Sequence, residues 1–190
     1  MSLDALIGRM SAYTPPERLE MIKAAYAFAR DKHEGQTRAS GEPYFMHCYA
    51  VASILAGLNA DPDMVAAGLL HDTIEDTGVT LDDLATKFNP SVASLVDAVT
   101  KLDKLNFTSK EERQAENFRR MFMAMAKDIR VIVVKLCDRL HNMRTLEHLA
   151  EAKQRAIAKE TIEIFAPLAH RLGIGKIKWE LEDESFRYLN

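Results

Sequence analysis

Four residues that bind metals well sit in segments that otherwise have no reason to be polar. His47 lies in Tyr44-Phe45-Met46-His47-Cys48-Tyr49, His71-Asp72 follow Gly68-Leu69-Leu70, and Asp138 follows Val133-Val134-Lys135-Leu136-Cys137. One histidine in such a setting is usually a satisfied core residue. Four polar groups on three apolar segments are another matter, because unpaired buried carboxylates are costly and a cation compensates them. Two imidazoles and two carboxylates form a mixed nitrogen–oxygen set suited to Mn, Fe or Zn.

Glu75 and Asp76 come one helical turn after His71 and Asp72, on the same two stripes. Carboxylates at the end of a helix meet the unfavourable pole of its dipole, so this His-Asp-x-x-Glu-Asp run calls for a compensating cation. The chemistry it suits is a general acid/base pair beside an ion that activates water. Asp138, Asn142 and Thr145 stand at i, i+4 and i+7, with Lys135 at i−3. A carboxylate, an amide, a hydroxyl and an ammonium in one row read as a phosphate or nucleotide wall. His141 points away from that row and reads either as core, the preferred reading, or as a support behind the ligands; His33, His148 and His170 read as structural or surface residues.

Helices must position these groups. Thr14-Pro15-Pro16-Glu17 reads as a capping box opening a helix to about His33, and Gly35 and Gly41 bracket a loop. Pro43 starts a helix to about Leu58, and Asp61-Pro62 launches one running on through His71-Asp72-Thr73-Ile74-Glu75-Asp76. Thr80 with Asp83 opens a short helix and Asn89-Pro90 another. Further helices are expected over Lys110–Lys127, Ile129–Leu146, Glu151–Arg171 and from Gly175 onward. Val131-Ile132-Val133-Val134 has strand propensity, but its periodic context is too long for a strand. The expected fold is an all-α multi-helix bundle with a central metal pocket. The helices almost wholly apolar, from Pro43, Met64 and Ile129, belong at its centre.

At 190 residues the chain suits one main domain. A net charge of −3 speaks against bulk nucleic-acid binding, though not against a small anionic substrate. The two cysteines, Cys48 and Cys137, are too few for a disulfide framework and read as buried thiols. Neither a signal peptide nor a membrane span is recognisable, so a cytoplasmic protein without membrane partners is expected.

The motifs also resemble a family. Arg38-Ala39-Ser40-Gly41-Glu42-Pro43-Tyr44-x-x-His47, His71-Asp72-x-x-Glu75-Asp76-Thr77 and Lys135 through Thr145 are similar to the hydrolase domain of RelA/SpoT-type bifunctional (p)ppGpp synthetase/hydrolases, within the broader HD phosphohydrolases. Glu116-Asn117-Phe118-Arg119 and the stretch from Ala166 to Asp183 extend the likeness over nearly the whole chain. The resemblance implies one Mn²⁺ per chain on His47, His71, Asp72 and Asp138, and cleavage of the 3′-pyrophosphate of ppGpp or pppGpp in the stringent response. It implies that Glu75 and Asp76 are the catalytic pair and that Arg38 stacks on guanine. Ser40, Lys135, Asn142 and Thr145 are then further substrate-binding positions. Ala39 departs from the family, which commonly has lysine there.

Residues 1–174 would form the hydrolase domain, and residues 175–190 the start of a connector to synthetase and regulatory domains. Trp179, Leu181, Phe186, Tyr188 and Leu189 give that connector more apolar surface than a lone helix should expose. The rival expectations are a non-catalytic alarmone-binding sensor, or an HD nucleotidase or phosphodiesterase acting on another nucleotide.

Overall fold

The computed structural model describes residues 2–103 and 110–190. All regular structure among them is helical, apart from an isolated antiparallel bridge between Thr37 and Pro43. The first seven helices are α1 (Leu3–Met10), α2 (Pro16–Lys32), α3 (Phe45–Gly57), α4 (Pro62–Leu70), α5 (Thr73–Asp76), α6 (Leu81–Lys87) and α7 (Pro90–Asp103). They are followed by α8 (Lys110–Lys127), α9 (Ile129–Arg144), α10 (Glu151–Glu160), α11 (Ala166–Arg171) and α12 (Gly175–Leu189). The side chains of Asn117 and Phe118 lie outside the described residues.

The all-α bundle expected from the sequence is what forms. Helices α3, α4 and α9 pack on one another at its centre, where Val51, Leu55, Leu69, Val134 and Leu136 are completely buried. Truncating a leucine in such a place costs roughly 2–5 kcal/mol. Gly68 is what lets α4 approach α3 closely. A Cβ there would lie 2.7 Å from Leu55 Cδ1 and 3.4 Å from the Ala52 backbone. The missing side chain thus brings the end of α4, and His71 with it, against His47. Around this centre α2 and α7 pack on α4, while α12 packs on α9, α10 and α11.

Several boundaries differ from expectation, each for a physical reason. Helix α1 was not foreseen; Ser2 caps it by accepting from Ala5 N–H, and Leu6 and Met10 are buried. Thr14 forms no capping box, because Pro15 occupies the N-cap position of α2 and no side chain caps it. The expected helix through His71 to Asp76 is broken. Helix α4 stops at Leu70, Asp72 adopts φ −102° and ψ 0°, and α5 restarts at Thr73, whose hydroxyl donates to Leu70 C=O at 2.7 Å. The helix expected over Glu151–Arg171 is interrupted by a π turn at Thr161–Phe165. Pro167 follows, and a proline ring clashes with the carbonyl four residues back unless the backbone widens there. In α12, Leu181 is wholly buried rather than exposed, whereas Trp179, Phe186 and Leu189 do face solvent. Among the described residues no helix is long and apolar enough to cross a membrane.

Candidate metal centre

The break between α4 and α5 delivers His71 and Asp72 to the same point that His47 reaches from α3 and Asp138 from α9. His47 Nε2 lies 2.8 Å from Asp138 Oδ1 and 4.0 Å from Asp72 Oδ2. His71 Nε2 lies 2.9 Å from Asp72 Oδ2 and 3.3 Å from Asp138 Oδ1. All four residues are buried.

His71 carries the test of whether a cation belongs here. Its Nδ1 donates to Gly68 C=O at 2.7 Å, and because a carbonyl can only accept, the proton is fixed on that nitrogen. Nε2 is buried and, despite the two nearby carboxylate oxygens, has no partner in hydrogen-bonding geometry. A lone pair aimed at two anions is repulsive unless a positive charge stands between them. Either a proton or a metal ion supplies it. His47, His71 and Asp72 have donor atoms all within 4.8 Å of one another, so the site suits a divalent ion.

The electrostatics agree. Burial works to lower the His71 pKa, but Asp72 and Asp138 outweigh it and hold it well above the ordinary histidine value. Burial works to raise Asp72, yet His71 brings it down to about 2. Asp138 is likewise resisted by burial but carried well below the carboxylate range by Lys135 and the two histidines.

A layer of supporting groups surrounds the four, and sequence reasoning missed most of it. Tyr44, one turn before His47, donates its hydroxyl to Asp72 Oδ2 at 2.5 Å. Burial and then the Asp72 charge push the phenol pKa up, so it stays a donor. His141 sits behind His47 with the two Nδ1 atoms 2.7 Å apart, and is no inert core residue. Burial, then His47 and Arg38, push its pKa down to about 3. His33 is buried, bonds Gln36 Oε1 through Nδ1 at 2.8 Å and packs against the Tyr44 ring. The spacing of Tyr44 and His141 to the ligands, i−3 from His47 and i+3 from Asp138, was the available signal.

Lys135 does not face open pocket space. Its ammonium bridges Asp103 Oδ1 at 2.5 Å and Asp138 Oδ2 at 3.0 Å. In this structure the ammonium, half-buried, acts as a clamp between these two carboxylates. Asp103 carried no signal in the sequence, being 32 residues away on α7. Glu75 and Asp76 both lie exposed at the rim of the centre. Glu75 offers a carboxylate oxygen within 4.8 Å of donors on Asp72 and Asp103. Partial burial, then Asp72, raise the Asp76 pKa above its ordinary value.

Beside the centre opens a pocket of about 350 Å³ lined by Arg38, Ala39, Ser40, Tyr44, Asn142 and Thr145, among others. Gly41, at φ +86°, closes a turn in which its N–H donates to Arg38 C=O at 2.9 Å and Arg38 N–H to Glu42 C=O at 2.9 Å. The turn aims Arg38 at α9, where the guanidinium donates to Asn142 Oδ1 at 2.8 Å and Thr145 Oγ1 at 2.9 Å. Asn142 and Thr145 are thus on the wall as their stripe implied, but with acceptors engaged in holding Arg38. Ser40 accepts from Glu42 N–H and supports the same turn. Arg139 joins the wall, held by Glu160 at 2.5 Å.

This arrangement can be set beside known proteins. A family model described as HD domain matches residues 25–175. A Synechocystis protein named probable guanosine-3′,5′-bis(diphosphate) 3′-pyrophosphohydrolase is 61% identical over 169 residues, covering 89% of this chain and 22% of that protein. The bifunctional (p)ppGpp synthase/hydrolase SpoT of Escherichia coli K12 is 56% identical over 188 residues, 99% of this chain and 26% of that protein. The chain therefore spans about a quarter of the length of these relatives. A solved structure described as a metazoan ortholog of SpoT that hydrolyses ppGpp superposes with a TM-score of 0.65 at 27% identity, covering 92% of this chain and 96% of that one.

Proposed function

The chain belongs to the HD-domain family, and on that premise we propose that it hydrolyses the 3′-pyrophosphate of ppGpp or pppGpp, giving GDP or GTP and pyrophosphate. The observation that carries this reading is the placement of a cation-demanding cluster, His47, His71, Asp72 and Asp138, beside a pocket walled by a flat, fixed guanidinium. The names of relatives at 56–61% identity support the choice of substrate.

In this reading one Mn²⁺ is held by those four residues, and when bound it supplies Lewis acidity that polarises phosphoryl oxygen and makes water a better nucleophile. The rest is done by the chain. His47 and His71 present Nε2 while Asp72 and Asp138 supply countercharge. Tyr44 and Lys135 each take one carboxylate oxygen and fix the orientation of Asp72 and Asp138. Arg38 covers a guanine face, planar against planar, with Asn142 and Thr145 keeping it flat. Glu75 and Asp76, at the open rim, take the proton from the attacking water and return one to the ribose 3′ oxygen as its bond to phosphorus breaks. The raised pKa of Asp76 suits it to carrying a proton.

Residues 1–174 are assigned as the hydrolase domain, and 175–190 as the start of a connector to synthetase and regulatory domains. The protein is assigned to the cytoplasm. The deciding experiment measures pyrophosphate release from ppGpp by the purified chain with and without added Mn²⁺. Turnover that requires Mn²⁺ is expected. Tight ppGpp binding with no turnover would make the chain an alarmone sensor instead, and faster cleavage of other nucleotides would make it a different HD phosphohydrolase.

A further inference from the structure

The two histidines of the cluster are oriented by different kinds of partner. His71 Nδ1 faces a backbone carbonyl, which accepts under all conditions. His47 Nδ1 faces another imidazole nitrogen, Nδ1 of His141, at 2.7 Å. An imidazole nitrogen accepts only while its ring's proton sits on the other nitrogen. On its other side His47 Nε2 lies 2.8 Å from Asp138 Oδ1, which also only accepts, so without a cation Asp138 and His141 compete for the single His47 proton, and a cation at Nε2 leaves Nδ1 as its place.

For His47 to offer an electron pair at Nε2, its single ring proton must reside on Nδ1. We propose that His141 is the positioning residue that supports this: with its Nδ1 2.7 Å from His47 Nδ1 it accepts from His47 Nδ1–H, and so keeps the His47 lone pair turned toward the point where Asp72 and Asp138 converge. The inference rests on the metal reading above.

The surroundings of His141 favour that state. It lines a cavity of about 850 Å³ together with Arg9, Arg144, Lys176 and Glu180. Leu140, His141 and Arg144 of α9 face this cavity, whereas Arg139, Asn142 and Thr145 face the Arg38 pocket. The His141 ring is only part-buried, so its Nε2–H has access to a polar space. No direct contact with substrate is implied, since His141 lies behind His47.

The test measures Mn²⁺ affinity by electron paramagnetic resonance of the free ion for the unaltered protein, H141N and H141L. Asparagine keeps an oxygen close to the position of Nδ1, while leucine removes the acceptor at similar volume. H141L is expected to bind Mn²⁺ about 10–100-fold more weakly and H141N within about threefold of the parent, the usual scale for losing or keeping an outer partner of a ligating histidine. Metal-free melting temperatures of parent, H141N and H141L should stay close together. H141L binding as tightly as the parent would overturn the proposal. So would H141N binding as weakly as H141L, because packing alone would then explain both. A ¹⁵N spectrum of the Zn²⁺-loaded parent gives an answer even if a variant fails to fold: His141 must show an unprotonated Nδ1 with its proton on Nε2, and a proton on His141 Nδ1 refutes the assignment. Failure of the parent itself to bind any divalent ion would instead remove the metal reading, and this inference with it.

Discussion

Arg38 donates to the Asn142 side chain at 2.8 Å across 104 residues of sequence, so the wall of the pocket and the loop above it are one unit. Removing either partner should have a similar consequence. Arg38→Ala and Asn142→Ala are each expected to raise KM for ppGpp roughly tenfold, about 1.4 kcal/mol, with metal content unchanged. Residues that act through one contact are non-additive, so the double variant should fall short of the sum by about 0.5–1.4 kcal/mol. Strict additivity in the cycle would show that Asn142 meets the nucleotide independently.

Lys135 stands between Asp103 and Asp138, and its loss leaves Asp103 without this partner and Asp138 with the two histidines alone for countercharge. Lys135→Met should destabilise the fold by roughly 1.5–3 kcal/mol, the scale of a lost charged hydrogen bond, and should weaken Mn²⁺ binding. Thermal melts and metal titrations check this. A variant with an unchanged melting curve and only a higher KM would restore Lys135 to the substrate.

Glu75 and Asp76 are exposed at the rim of the buried quartet. Glu75→Gln and Asp76→Asn should retain one equivalent of metal and lose turnover by roughly 10²–10⁴, the scale of a positioned acid or base. Loss of metal along with activity would reassign them as ligands or supports.

His71 gives the site a pH dependence whose sign can be worked out. Its pKa is raised above the ordinary value of 6.5, chiefly because Asp72 and Asp138 outweigh burial. A proton and a metal ion compete for the same electron pair on Nε2. Metal affinity should therefore fall as pH falls below the raised pKa, by about tenfold per pH unit for one proton displaced. In the absence of metal, the protonated His71 stabilises the fold at low pH, and that contribution is lost as pH rises through its raised pKa. Added Mn²⁺ should thus raise the melting temperature more at pH 8 than at pH 6. An equal shift at both values would mean that His71 binds no proton the ion must displace.

Much of this protein could be read from its residues. Helical periodicity and length made α9 a helix despite Val131-Ile132-Val133-Val134, because sixteen residues of pattern outweigh four of propensity. Asp61 and Thr80 accept from Met64 and Asp83 backbone N–H groups as their cap positions required. Polar residues on all-round apolar helices pointed to His47, His71, Asp72 and Asp138, since only a shared task makes four such burials tolerable.

What the sequence could not decide was where side chains aim once helices cross. Stripe membership put Lys135 on the pocket wall, but the arrival of α7 placed Asp103 within its reach, and a half-buried ammonium pairs with the carboxylates nearest to it. The same holds for His141, which the helical wheel turned away from the ligand stripe and the α3–α9 crossing turned against His47. Residue types and spacing determined which chemistry the chain could support and which helices would carry it. The partners of each polar group were decided only by tertiary packing, because a hydrogen bond or ion pair depends on ångström-scale approach between elements that no local pattern encodes.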